Sequence, residues 1–228
     1  MIALVDYGAG NLRSVELALE RLGVPSRRAP SPAGLEGASG IILPGVGAAA
    51  PAMRALEDAG LAAALRETRL PFLGICLGMQ LLVEVSEEGG EETACLGVLP
   101  GRTRAFPEGV RVPHTGWNAL ERVRDDALLE GVPAGTHVFF NHSFRVECPE
   151  AAVVATATHG RPFPAAIRAG TRAGVQFHPE KSGPAGQRIL AGFAAACGEP
   201  AADAGSAAAR DARSSGGGPA PAAGREPC

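Results

Sequence analysis

The chain has 228 residues, of which 46% are hydrophobic and 20% charged, with a formal net charge of −3. That is globular composition, long enough for one ordinary α/β domain, and the slight acidic excess with no basic block argues against a nucleic-acid binder. Apolar runs such as residues 40–51 fall well short of the roughly 20 residues a membrane span needs.

The start, Met1-Ile2-Ala3-Leu4-Val5-Asp6, has no basic stretch of the kind that opens a signal peptide, so a cytoplasmic protein is expected. Residues 1–6 read as a short apolar strand, stopped by Tyr7-Gly8-Ala9-Gly10. Asn11 is a suitable N-cap, and Leu12, Val15, Leu19 and Leu22 recur at helical spacing before Gly23. A second strand is expected at 40–43, followed by Pro44-Gly45-Val46-Gly47 and an Ala-rich helical stretch carrying Met53, Leu56, Leu61 and Leu65. A third strand at 71–75 runs straight into a helix over 77–85. Strand, turn and helix in repetition argue for parallel strands joined by right-handed crossovers, covered by helices on both faces.

From about Val98 the texture changes to short β-rich pieces at 110–113, 137–140, 153–156, 165–167 and 174–177. A last helix carries Ile189, Leu190 and Phe193. The fold class expected is α/β: a central, mostly parallel sheet flanked by helices, with an antiparallel β extension beside it. Residues 1–198 form the domain. Residues 199–228 hold no Val, Ile, Leu, Met or aromatic residue, and Ala, Gly, Pro and Ser dominate; this reads as a disordered tail.

Five cysteines (Cys76, Cys95, Cys148, Cys197, Cys228) include no CxxC, and five histidines form no HExxH, so neither a disulfide scaffold nor a metal or other cofactor is expected. The strongest local signal is Gly74-Ile75-Cys76-Leu77-Gly78, which has the G-x-nucleophile-x-G form between a strand and a helix. Such a turn strains the nucleophile's backbone and crowds its neighbours unless they lack a Cβ. It also puts the sulfur at a helix N-terminus, which favours thiolate. The bland alternative is a small buried cysteine at a tight turn.

In Val175-Gln176-Phe177-His178-Pro179-Glu180, residues two apart in extended chain share a side, so Glu180 can steady the His178 imidazole. Alternatively, Glu180 caps the helix opening near Pro184 and His178 is a packed strand residue. The Gly45–Gly47 loop can turn an N–H toward an oxyanion beside that of Leu77, or be an ordinary βα turn. Gly8-Ala9-Gly10 is no dinucleotide fingerprint, because Arg13 stands at the third glycine position.

Taken together, GICLGMQ at 74–80, HPE at 178–180 and PGVG at 44–47 resemble the class I (triad) glutamine amidotransferases. Within that family, VDYGAGNL at 5–12, PHTGWN at 113–118 and HPEKS at 178–182 resemble the glutaminase subunits of imidazole glycerol phosphate synthases. The resemblance covers about residues 1–197. It implies a Cys76–His178–Glu180 triad that hydrolyses L-glutamine and passes the ammonia to a cyclase subunit in histidine biosynthesis. It further implies an oxyanion and substrate site at Gly45, Val46, Gly47, Leu77, Gln80, Ser143 and Phe144, with Asn11, Trp117 and Lys181 facing the partner. Lys181 is the single lysine of the chain. Phe139 and Asn141 stand where relatives usually carry Tyr and Val, and His159 where Tyr is commoner. Competing readings are another triad glutaminase, with a His in place of Met79 and no Lys181, a non-catalytic scaffold, or a partner-free hydrolase.

Overall fold

The computed structural model describes residues 1–199. Of the segment expected to be a tail, only Glu199 is described. It accepts hydrogen bonds from the Met1 amino group and from Ser39 Oγ, the latter at 2.6 Å, while 200–228 lie outside the described residues.

The first half alternates strand and helix: β1 (Ile2–Val5), α1 (Leu12–Arg21), β2 (Ser26–Ala29), β3 (Gly40–Gly45), α2 (Ala49–Asp58), α3 (Leu61–Glu67), β4 (Phe72–Cys76) and α4 (Leu77–Leu82). Short strands follow: β5 (Val85–Ser86), β6 (Thr93–Ala94), β7 (Arg102–Ala105), β8 (His114–Ala119), β9 (Arg122–Val123), β10 (His137–His142) and β11 (Phe144–Glu147). The chain then forms β12 (Val153–His159), β13 (Arg161–Ala169) and β14 (Arg172–Val175), and ends in α5 (Gly183–Ala196).

Eight strands make one sheet in the order β2-β1-β3-β4-β14-β13-β12-β9. The first five are mutually parallel, and β13, β12 and β9 continue antiparallel. The antiparallel extension is thus hydrogen-bonded into the main sheet through β14, whose two edges pair in opposite senses. Two smaller sheets, β10-β8 and β11-β7-β5-β6, complete the described fold.

Side chains of the central strands alternate between two cores, as a sheet covered on both faces requires. Ile2, Leu4, Ile42, Leu73 and Ile75 pack with α1 and α5. Ala3, Val5, Ile41, Leu43 and Phe72 pack with α2, α3 and α4.

Several elements differ from expectation for local reasons. Gly60, in the left-handed region at φ 69°, splits the Ala-rich stretch into α2 and α3. α4 stops at Leu82 instead of 85 because the N–H groups of Leu96, Gly97, Val98 and Leu99 take the carbonyls of Leu81, Leu82 and Val83 at 2.9–3.0 Å. Residues 110–113 are loop, since Pro113 has no N–H for a ladder, and the strand starts at His114. β14 covers 172–175 rather than 174–177. Asn11 occupies the N-cap position of α1, but its Oδ1 accepts from Ser14 Oγ at 2.8 Å rather than from the backbone.

Two glycines let α4 lie hard against the sheet. A Cβ on Gly74 would sit 2.5 Å from the Gly78 carbonyl oxygen, and one on Gly78 would overlap that of Leu43. The crowding at Gly78 therefore comes chiefly from the neighbouring strand. Gly78→Ala is expected to cost about 3 kcal/mol or more, because backbone must move. At Gly23, at φ 69° with open space around a Cβ, the same change should cost about 1 kcal/mol. Urea unfolding of both variants checks the contrast.

Candidate active site

Cys76 ends β4 and is the N-cap of α4, with φ 54° and ψ −111°. Among the described residues it is the one non-glycine with positive φ. A β strand that must become a helix within one residue forces this conformation, which aims the thiol off the carboxyl edge of the sheet. α4 has only six residues, so the sulfur feels its unpaired first-turn N–H groups more than a long helix's dipole. Gly45 pairs with Cys76 across β3 and β4, placing the 45–47 loop beside the thiol. A Cβ on Gly45 would lie 2.8 Å from Leu77 Cβ and 2.9 Å from the Tyr7 hydroxyl, so close approach demands glycine there.

His178 follows β14, the next strand over. Its backbone N–H donates to the Phe139 carbonyl at 2.8 Å, and Ser182 Oγ ties its carbonyl (2.6 Å) to the Phe139 N–H (3.0 Å). Its Nδ1 lies 2.9 Å from Glu180 Oε1, and the two side chains are only 4% and 1% exposed. A carboxylate accepts, so Nδ1 carries the proton and the other ring nitrogen is left for Cys76. Glu180 therefore faces the imidazole and does not cap the last helix. Burial pushes the imidazole toward neutrality, but hydrogen bonds with Cys76 and Glu180 outweigh it and raise its pKa to about 9.

Cys76 and His178 line a cavity of about 210 Å³ with Val46, Gly47, Leu77, Gln80, Ser143 and Phe144. All the expected oxyanion and substrate positions except Gly45, which lies just behind the wall, thus meet at one hollow. A wider groove of about 710 Å³ along 124–134 has neither a thiol nor an imidazole.

Several residues of the site were given no role there by the sequence, among them Gln176, Tyr7, Ser182 and Glu88. Gln176, fully buried, accepts from Gln80 Nε2 (3.0 Å) and donates to Cys76 Sγ (3.8 Å). Tyr7 buries a hydroxyl with no partner beside the 45–47 loop, and burial, with the Cys76 charge, pushes its phenol up. Ser182 holds the His178 segment as described, and Glu88 lines the cavity while accepting the Ala49 N–H at 2.7 Å. Gln176 stands two residues before His178 and Ser182 closes the HPEKS stretch, the signal by which their roles could have been found.

The expected partner-facing residues lie outside the cavity lining, on its His178 side. Lys181 Nζ sits 5.8 Å over the Phe139 ring, which meets Trp117 edge-on at 6.2 Å and lies 6.5 Å from the His178 ring. Asn11 borders a crevice shared with Val46, His178 and Glu180. The Asn141 side chain is spent on Thr115 Oγ1 (2.9 Å), while its carbonyl lies 3.8 Å from the Cys76 sulfur. His159 stacks on His114 at 4.2 Å.

Since folding raises the His178 pKa from 6.5 to about 9, its contribution to stability is complete below the first value and lost as pH rises through the second. Glu180→Gln should lower the His178 pKa from about 9 toward its ordinary value, with the Cys76 interaction holding back part of the fall against burial. NMR titration of the ring protons in both proteins measures this, and an unmoved pKa would remove Glu180 from the explanation.

The family model for glutamine amidotransferase class-I matches residues 3–197. An imidazole glycerol phosphate synthase subunit HisH of Desulfitobacterium hafniense (strain Y51) is 50% identical over 197 residues, covering 85% of this chain and 93% of that protein. The subunit of the same name from Xanthomonas axonopodis pv. citri is 50% identical over 194 residues, 84% and 96% of the two chains. Another, from Moorella thermoacetica, is 48% identical over 196 residues, 84% and 93%. In architecture the chain is similar to a crystal structure of a glutamine amidotransferase, with TM-score 0.69 at 24% identity over 86% of this chain and 98% of that one. Thus the chain belongs to the class I glutamine amidotransferase family.

Proposed function

We propose that this chain is the glutaminase subunit of an imidazole glycerol phosphate synthase, hydrolysing L-glutamine and delivering the ammonia to a cyclase subunit. The observation that carries the chemistry is a strained thiol and a carboxylate-held imidazole meeting at one small cavity. The similarity to the HisH subunits supports the biological role.

In this reading Cys76 attacks the carboxamide carbon, and the Leu77 N–H with the Gly45–Gly47 loop takes the charge on oxygen. His178 gives its proton to the leaving ammonia, then removes one from water as the thioester is hydrolysed, and Glu180 stabilises each imidazolium. Glu88, the one carboxylate lining the cavity, is in this reading the group offered to the α-ammonium of glutamine.

Val46 (45% exposed), which lines the cavity, and Trp117 (56% exposed), which meets it through Phe139, are large apolar side chains left uncovered. With Phe139 and Lys181 they make the kind of aromatic and cationic surface that partners cover. We assign this face, with Asn11, to the cyclase, and place the reaction in the cytoplasm. No helix among the described residues is long and apolar enough to cross a membrane.

The test is glutamine hydrolysis with and without the cyclase and its nucleotide. Wild type should turn over slowly alone and much faster in the complex. Cys76→Ala should lose about 10³-fold or more while product still forms from added ammonium salt. Lys181→Ala should weaken the stimulation several-fold with the thermal unfolding midpoint unchanged. Turnover that ignores the cyclase would favour a free-standing hydrolase.

A further inference from the structure

One wall of the cavity, Ser143–Phe144, is held by a chain of side-chain hydrogen bonds built on two buried histidines. The Phe144 carbonyl can only accept, so the 2.7 Å contact from His142 Nδ1 fixes the proton on that nitrogen. In the neutral ring Nε2 is then bare, and it must accept the 2.9 Å bond from His114 Nδ1. His114 Nε2 is bare in turn and faces Asn118 Nδ2 at 3.2 Å. Asn118 is oriented independently, since Nδ2 donates to the Thr158 carbonyl and Oδ1 accepts from the Ala119 N–H, both at 2.8 Å. One assignment of protons satisfies every contact, and an extra proton on either ring would set two N–H groups against each other.

The surroundings enforce this neutral state. His114 is sandwiched between Phe140 (4.8 Å) and His159 (4.2 Å). Phe163 and Phe106 close on His142 at 5.2 and 5.4 Å. Burial, only partly offset at His142 by the Phe144 carbonyl and reinforced by neighbouring imidazoles, pushes the pKa of His114 down to about 4 and of His142 down to about 3. The charges acting on the pair come from His159 and His178, both of which repel a proton.

The chain ends at the reacting sulfur. The Phe144 carbonyl also accepts from Gln80 Nε2 at 3.1 Å, and Gln80 holds Gln176, which donates to Cys76. We propose that His114 and His142 are positioning residues for glutamine: a neutral pair in fixed tautomers that pins the Phe144 carbonyl and holds the cavity wall in substrate-binding shape. This rests on the glutaminase reading above.

The test is steady-state glutamine hydrolysis by the complex with the cyclase and its nucleotide, with a thermal unfolding curve for each variant. His142→Leu should raise KM for glutamine about tenfold and change kcat by less than about threefold, since ground-state shape is lost rather than chemistry. His142→Asn, whose amide N–H can stand in for Nδ1–H, should return KM to within about threefold of wild type. His114→Leu, which leaves the bond to Phe144 but frees the tautomer, should raise KM by a smaller factor and serves if His142→Leu does not fold. Wild-type KM in a leucine variant, a fall in kcat alone, or no rescue by asparagine overturns the proposal. Absence of glutamine turnover in wild type instead sinks the glutaminase reading, and this inference with it.

Discussion

The site depends on a single backbone constraint: at Cys76 the chain must pass from strand to helix without an intervening loop. A positive φ at a residue with a side chain is costly, and it persists only where neighbours over-determine it. Here β4 is clamped between β3 and β14, and α4 is pressed onto β3 where Gly78 leaves no room for a Cβ. The strain is balanced by two fully formed cores on either side of the sheet, so the fold's stability and the thiol's position share one cause. Loosening the helix against the strand would cost the fold and also let the thiol fall back toward the sheet.

The same sheet brings the imidazole to the thiol from a hundred residues away. β14 is parallel to β4 and ends level with it, in a register that pairs Val175 with Ile75. Cys76 and the 176–178 segment therefore leave the same edge side by side. Glu180 then needs only the short turn after Pro179 to reach the ring, and β10 fixes that turn through Phe139 and Ser182. The architecture supplies proximity; local hydrogen bonds supply orientation.

What was legible in the sequence follows this division. Apolar runs bounded by glycine placed β1, β3 and β4, because buried parallel strands write themselves as Ile-Ile-Leu or Phe-Leu-Gly-Ile. The turn at Cys76 and the pairing of His178 with Glu180 were legible because strained turns restrict residue choice. β2 was not, since Ser26-Arg27-Arg28-Ala29 is a polar edge strand stabilised by its neighbour's backbone. β7 and β11 likewise have mixed patterns with meaning only once paired. Gln176 and the His114–His142 pair were missed as parts of the site for a related reason. A polar side chain in a core shows its purpose only when its hydrogen-bond partners, distant in sequence, are in view. The antiparallel extension was legible as texture, but its fusion into the main sheet was decided by the pairing of β14 on both edges.

The lone lysine has a practical corollary. Lys181 is exposed, rests over Phe139, and has no competing ε-amine anywhere in the chain. An amine-directed fluorophore would therefore find a single lysine side chain, beside Phe139, and apart from it only the Met1 α-amine, which is paired with Glu199. Such a label would turn the surface at Phe139 into an optical sensor for whatever settles over it.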